Sequence, residues 1–493
     1  MAQQAIGLTL DHEPPGGQIR VAKGAYRTDI AQLSPLVDER MSELRARARV
    51  LYNALNFDTP VNFGQDELFP KGLGQDKYVD NLHGAGDRDP VEELANQIDL
   101  SESAGAYLFT GNRGTGKTTE LLRLATILRE YDCDVFYADM AEYLTLTQRI
   151  EISDFLISVL GAFSEKIAER FKEDPGKPSF FERIQSFLNS NVQFNEIKVP
   201  AGWIEFKAAL QQNPTFKEQL QEKTRGVVEQ LVKQARDFAI EAVQYVRGRG
   251  AHPDGKIVLI IDSVERLRGV GDTADIREVF KSAETVFSSH ADKLRFTALN
   301  VVYTVPPYLS ALAGPLGSVY AGGRIYALPS VHIYECCPEP GEEPAPHTDG
   351  LAKMREVVER RFSDWHDFFT EAQLAQLAQH SGGDLRDYLR MLRLAVARVL
   401  QSGKLPVPDT LITDAEDAVR GDMLPIADND RAWLRKITAS HKPELPSLDA
   451  LPDFARLQEG KYLLHYRNGE DWYDVHPLLR AEVSAGGNEQ PGA

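Results

Sequence analysis

From Tyr107 to Thr119 the chain reads Tyr-Leu-Phe-Thr-Gly-Asn-Arg-Gly-Thr-Gly-Lys-Thr-Thr. Gly111, Gly114 and Gly116 punctuate a turn that follows a short apolar run and opens directly into a helical pattern. A turn of this kind curls so that successive N–H groups, here from Gly111, Asn112, Arg113, Gly114, Thr115 and Gly116 onward, point inward at phosphate oxygens. The following helix N-terminus adds its partial positive charge. Lys117 then neutralises the β- and γ-phosphates, and Thr118, with Thr119 beside it, ligates Mg²⁺. The chemistry predicted is binding of a nucleoside triphosphate.

A second stretch, Lys256-Ile-Val-Leu-Ile-Ile-Asp262, is an apolar run ending in an acid. Such runs form buried strands of parallel sheets, and an acid at the carboxyl end of one lies where ligands bind. Asp262 is the candidate to hold Mg²⁺ through its water shell. Glu265, three residues on, is the candidate to polarise an attacking water; its other reading is a helix N-terminal acid stabilised by the helix dipole. Thr304 ends another apolar run, Leu299–Thr304, and is placed to meet the γ-phosphate or the water. Arg324 is a candidate arginine finger for a neighbouring subunit's nucleotide or an ordinary surface arginine. Arg386, near the start of a helix opened by Asp384, is a candidate to reach back to the phosphates.

The elements that must position these residues are legible in outline. A chain of 493 residues predicts two to four domains. Residues 1–60 read as a polar arm followed by a helix over about 35–55, and residues 61–340 as the nucleotide-binding core. Tyr78 and Val79, ahead of the first strand, are candidates to line the base pocket, and Pro90–Ile98 is a helix with proline in its first turn. After a second strand, Asp134–Ala138, residues 163–250 form a charged helical insertion with an apolar stripe running to Val246. It is either a brace on the sheet or a partner-docking or nucleic-acid-sensing element. A further strand is expected over Val331–Glu335, then a Pro/Gly/Glu linker over 338–346. Residues 341–410 form a helical lid, with a capping box at Thr370 and Gln373 and a stop at Ser381-Gly-Gly. In 411–485, helices precede a hairpin turning at Asn468-Gly469 between aromatic strands, the pattern of a winged helix. Residues 486–493 read as a disordered tail.

The formal charge of −18, from 73 acidic and 55 basic residues, argues against a surface that coats nucleic acid and leaves only a local basic patch open. Cys133, Cys336 and Cys337 provide no disulfide framework and no metal-ligand spacing. There is no basic region followed by an apolar leader and no run long enough for a membrane span, so a soluble cytoplasmic protein is expected.

The order of these parts resembles the AAA+ ATPases of the origin-recognition initiator type and the related STAND signalling ATPases, over roughly residues 60–480. The resemblance implies an α/β fold: a P-loop NTPase parallel sheet with helical insertion, helical lid and C-terminal winged helix. It implies ATP and Mg²⁺ as cofactors and a homo-oligomer. Gly111–Thr118 would be the Walker A loop, Asp262 the Walker B acid, Thr304 sensor 1, Arg324 the finger and Arg386 sensor 2. One departure matters: Ser263, not a second acid, follows Asp262, and the next acid is Glu265. That D-x-x-[DE]-R arrangement is similar to STAND and KAP-type sequences and implies slow hydrolysis, suited to a switch that controls assembly or a protein effector, as in bacterial anti-phage defence. The alternative is a DNA-acting initiator, loader or transposition-type ATPase with the winged helix in the major groove, and a third reading is a non-hydrolysing scaffold. The candidate second helix, 448–457, carries two acids and one arginine. That is poor for phosphate contact and favours a protein partner.

Overall fold

The computed structural model describes residues 26–64, 69–84, 88–172, 180–191, 200, 202–269, 273–335 and 342–485. Helix α1 (Tyr26–Ala54) comes first and starts within the expected arm. In α2 (Pro90–Leu100) the Asp89 carboxylate accepts the Val91 and Glu92 N–H groups and Pro90 occupies the first turn. Then follow β1 (Ala106–Gly111), α3 (Lys117–Glu130) and β2 (Asp134–Asp139). The insertion consists of α4 (Ile152–Phe171), α5 (Phe180–Asn191), α6 (Trp203–Gln212), α7 (Pro214–Thr224) and α8 (Val228–Arg247). β3 (Ile257–Asp262), α9 (Thr273–Glu284), β4 (Asn300–Thr304), α10 (Ala313–Gly317) and β5 (Ile325–Leu328) complete the core.

Among the described residues these strands make one parallel sheet in the order β2-β3-β4-β1-β5. Its two faces separate by residue parity. Tyr107, Phe109, Val258, Ile260 and Val302 pack with the apolar stripes of α2 and α3. Leu108, Leu259, Ile261, Val301 and Tyr303 face the larger core shared with the insertion, the lid and the C-terminal segment. Burial on both faces explains why the strands read as continuous apolar runs. α4 packs on the sheet: its Phe163 meets Phe136 of β2 edge-on, ring centres 5.3 Å apart.

One expected strand is corrected. The edge strand is β5, not residues 331–335. Pro329 lacks an N–H and ends the pairing, and the chain beyond it serves other partners. Ser330 N donates to the His465 carbonyl and Val331 N to the Gly383 carbonyl, so this stretch ties core to lid and hairpin.

The segment expected as a lid forms α11 (Thr348–Arg361), α12 (Glu371–His380) and α13 (Leu385–Ser402), and α14 (Asp409–Gly421) packs on α13. The capping box at Thr370 and Gln373 is present, and Gly382 and Gly383 take left-handed backbone between α12 and α13. α1 lies along α13, with the Arg393 guanidinium 4.1 Å from the Tyr52 ring centre. The chain then forms α15 (Asp428–Ser440), α16 (Leu451–Glu459), the hairpin β6 (Leu463–Arg467) and β7 (Asp471–Val475), and α17 (Arg480–Ser484). α16 buries Phe454 and Leu457, and Asp453 pairs with Arg277 of α9 at 3.0 Å. No helix among the described residues is long and apolar enough to cross a membrane. Cys133 is buried; Cys336, Cys337, most of the expected arm, part of the linker and the 486–493 tail lie outside the described residues.

Candidate nucleotide site

The phosphate loop joins β1, which lies between β4 and β5, to α3. Gly114 and Gly116 have φ of +98° and +93°, the left-handed region that glycine enters without strain. Space is a second reason at Gly114, where a Cβ would lie 2.8 Å from the Arg386 Cβ. Lys117 is buried and donates to the carbonyls of Gly111 and Asn112, both at 2.9 Å. Its Nζ is 3.5 Å from Glu265 Oε1. Thr118 Oγ1 donates to Asp262 Oδ2 at 2.8 Å. Thr119 Oγ1 accepts the Val61 N–H at 3.1 Å and so anchors the segment before the core. Asn112 Nδ2 donates to the Leu463 carbonyl of the hairpin at 3.3 Å. Arg113 is exposed at the rim.

The acid side is built by β3 and its neighbours. Asp262 is fully buried and in register with Asp139 of β2. It accepts from Tyr137 Oη at 2.6 Å and from Ser263 N at 2.7 Å. Burial, and then the Glu265 carboxylate, push its pKa up to about 6 against the pull of the Tyr137 and Thr118 hydroxyls. Ser263 is left-handed at φ +71°, a strained conformation for a residue with a side chain. That kink lifts the chain so that Glu265, rather than residue 263, faces Lys117. Glu265 Oε2 has no hydrogen-bond partner among the described residues.

A cleft of about 450 Å³ lies over this constellation. It is lined by Lys117, Thr118, Glu265, the Phe57–Pro60 segment, Arg361 and Arg386. The size suits a nucleotide-class ligand. The N-terminus of α13 borders it: Arg386 N donates to the Gly114 carbonyl at 3.2 Å, and its guanidinium pairs with Asp58 at 2.5 Å.

Lys117, Thr118, Asp262, Glu265 and Arg386 therefore come together, while Thr304, Tyr78 and Val79 stand elsewhere than expected. Thr304 is fully buried and its Oγ1 accepts the Val264 N–H at 3.1 Å. It pins the loop that carries Glu265 instead of lining the cleft. Arg324 lies outside the cleft, paired with Glu93 at 2.7 Å and 4.7 Å from the Tyr326 ring centre. Tyr78 does not line the cleft either, because its hydroxyl donates to Glu120 at 3.0 Å behind α3, and Val79 is buried in the core. The apolar wall comes from Phe57, Pro60, Pro70 and Leu389.

No family model and no curated protein matches the chain. Among solved structures it is similar to Cdc6p from Pyrobaculum aerophilum, at 14% identity over 83% of this chain and 97% of that one, with a TM-score of 0.32. A Walker-type ATPase of Pyrococcus abyssi matches at 15% identity, 83% and 97% coverage and a TM-score of 0.33. The Aeropyrum pernix ORC2 protein in ADPNP and ADP complexes matches at 12%, 83% and 95%, and 0.36.

Tyr137 and Arg361 are site residues that sequence reasoning missed. Tyr137 was within reach, as a hydroxyl on the parity of a strand that places it beside Asp262. Which strand neighbours β3 is not written locally.

Proposed function

We propose that the chain is an ATP-binding, slowly hydrolysing switch of AAA+/STAND type, in which lid and C-terminal winged-helix-like unit respond to nucleotide and control assembly or a protein effector. The observation that carries this reading is the Thr118–Asp262 hydrogen bond at 2.8 Å, which joins the helix after the phosphate loop to the acid strand. It stands beside a lysine held across the loop mouth by backbone carbonyls.

The residues fit Mg²⁺: a threonine hydroxyl and a buried carboxylate meet at the mouth of an N–H cradle, and these two would hold it. When bound, the ion would offset the charge of the phosphates. Lys117 exchanges its two loop carbonyls for phosphate oxygens. Glu265 Oε2, unpartnered in the described structure, orients a water and accepts its proton. Arg386 leaves Asp58 for the phosphates, which gives the lid its response. The kink at Ser263, which sets the base three residues after Asp262, supports slow turnover.

The burial of α16 against α9 supports a protein partner over DNA, since the helix that would enter a major groove is covered by the core. Steady-state ATP hydrolysis beside Lys117→Ala, with and without duplex DNA, tests both. Slow, DNA-indifferent turnover lost in Lys117→Ala is expected. Turnover unchanged in that variant overturns the assignment, and strong stimulation by DNA restores the initiator reading.

A further inference from the structure

A buried ionic cluster lies where α13 meets the C-terminal hairpin. Lys461, in the turn between α16 and β6, places Nζ 2.8 Å from Asp384 Oδ1 and 2.9 Å from Asp387 Oδ2. Asp384 and His476 are fully buried, and Asp387 and Lys461 nearly so. His476 Nδ1 accepts the Leu478 N–H, which leaves the ring proton on Nε2, 3.6 Å from Asp387 Oδ2. Burial opposes ionisation of Asp387, but the Lys461 ammonium and the His476 ring outweigh it and hold that carboxyl well below the usual range.

The other side of this cluster is the phosphate loop. Asp384 caps α13 by accepting the Asp387 N–H at 2.9 Å. A Cβ on Gly114 would lie 2.8 and 2.9 Å from the two Asp384 carboxylate oxygens. Asp384 Oδ2 has no hydrogen-bond partner among the described residues. A buried carboxylate thus abuts the loop that receives polyanionic phosphates, and its counter-charge is supplied from a different unit of the fold. Without that counter-charge the carboxylate repels phosphate across the loop and favours withdrawal of the α13 N-terminus into water.

We propose that Lys461 is a positioning residue for the nucleotide site: it neutralises Asp384 and Asp387, seats the α13 N-terminus with Arg386 on the phosphate loop, and so links docking of the C-terminal hairpin to phosphate binding. This rests on the nucleotide-switch reading. Linkage is reciprocal, so nucleotide strengthens hairpin docking by the factor with which docking strengthens nucleotide binding.

The test measures affinity of the full chain for fluorescent ATP and ADP analogues with Mg²⁺, in wild type, Lys117→Ala, Lys461→Met and Lys461→Met/Asp384→Asn/Asp387→Asn. Lys461→Met is expected to weaken binding roughly tenfold, within the range of ordinary site-to-site couplings, and the neutralised triple variant to recover most of the loss. Nucleotide should also slow tryptic cleavage after Arg467 in wild type but not in Lys461→Met. Wild-type affinity in Lys461→Met, or a triple variant as weak as the single one, overturns the proposal while the nucleotide reading stands. Equal binding by wild type and Lys117→Ala overturns both. Should Lys461→Met not fold, Asp384→Asn decides, because asparagine keeps the helix cap and removes the charge facing Gly114. Affinity at or above wild type is expected there, and a fivefold loss overturns the proposal.

Discussion

Lys117 and Glu265 face each other at 3.5 Å across the phosphate loop, so the ammonium and the candidate base are held in place by one another. Lys117→Ala should bring ATP binding below detection in calorimetry while the circular dichroism spectrum is kept. Glu265→Gln should slow turnover by roughly 10²–10⁴-fold with affinity retained; equal loss of binding, read by the same calorimetry, would make Glu265 structural. His83, whose Nε2 would lie 3.9 Å from a Cβ on Gly116, offers a pH test beside the phosphate loop. Its Nδ1 sits 2.9 Å from the Pro329 carbonyl, and burial lowers its pKa from 6.5 to about 4. With the folded value depressed, the neutral ring contributes its stability in full above pH 6.5. That contribution is lost as pH falls toward 4, because the unfolded chain takes up the proton first. The full effect is on the order of 3 kcal/mol. Between pH 7 and 4.5 the urea midpoint of wild type should therefore fall further than that of His83→Gln.

Elements carry the division of labour between site and support. The phosphate loop is a strand, a turn and a helix in unbroken succession, and the acid strand is one apolar run, so both are legible locally. The strand expected over 331–335 has the same apolar look, yet Pro329 and the partners of Ser330 and Val331 make it a tie between units. In the insertion, Gly161 of α4 gives way to the indole of Trp203, which lies 1.9 Å from where a Cβ would stand. Gly161→Val should overpack that crossing by about 1–3 kcal/mol and raise hydrogen exchange in α6 and α8, with nucleotide affinity unchanged. A parallel fall in affinity would make the insertion part of the switch rather than a brace.

At the scale of the whole molecule, lid, hairpin and core converge on one loop: Arg386 N reaches the Gly114 carbonyl and Asn112 reaches the Leu463 carbonyl. Whether a second copy completes the site turns on Arg324, which stands half-exposed on Glu93 of its own chain. If Arg324 serves a neighbour's nucleotide, Arg324→Ala should lose turnover that added protein does not restore, and mixing with Lys117→Ala subunits should return part of it. Failure of that complementation in a mixed-subunit ATPase assay would leave Arg324 as a surface ion pair.

The chain by itself determined the phosphate loop, the acid strand, the insertion helices, the lid caps and the Asn-Gly hairpin, because each is written in neighbouring residues whose spacing sets their local geometry. Tertiary structure alone decided that Thr304 supports the acid loop, that Phe57–Pro60 rather than Tyr78 walls the cleft, and that α16 is covered. It also decided that a lysine beyond α16 neutralises carboxylates at the lid. These are contacts between distant parts of the chain, such as Asn112 with Leu463, 351 positions apart. Burial and packing order select them, and no local pattern of residue types encodes which distant partner will arrive.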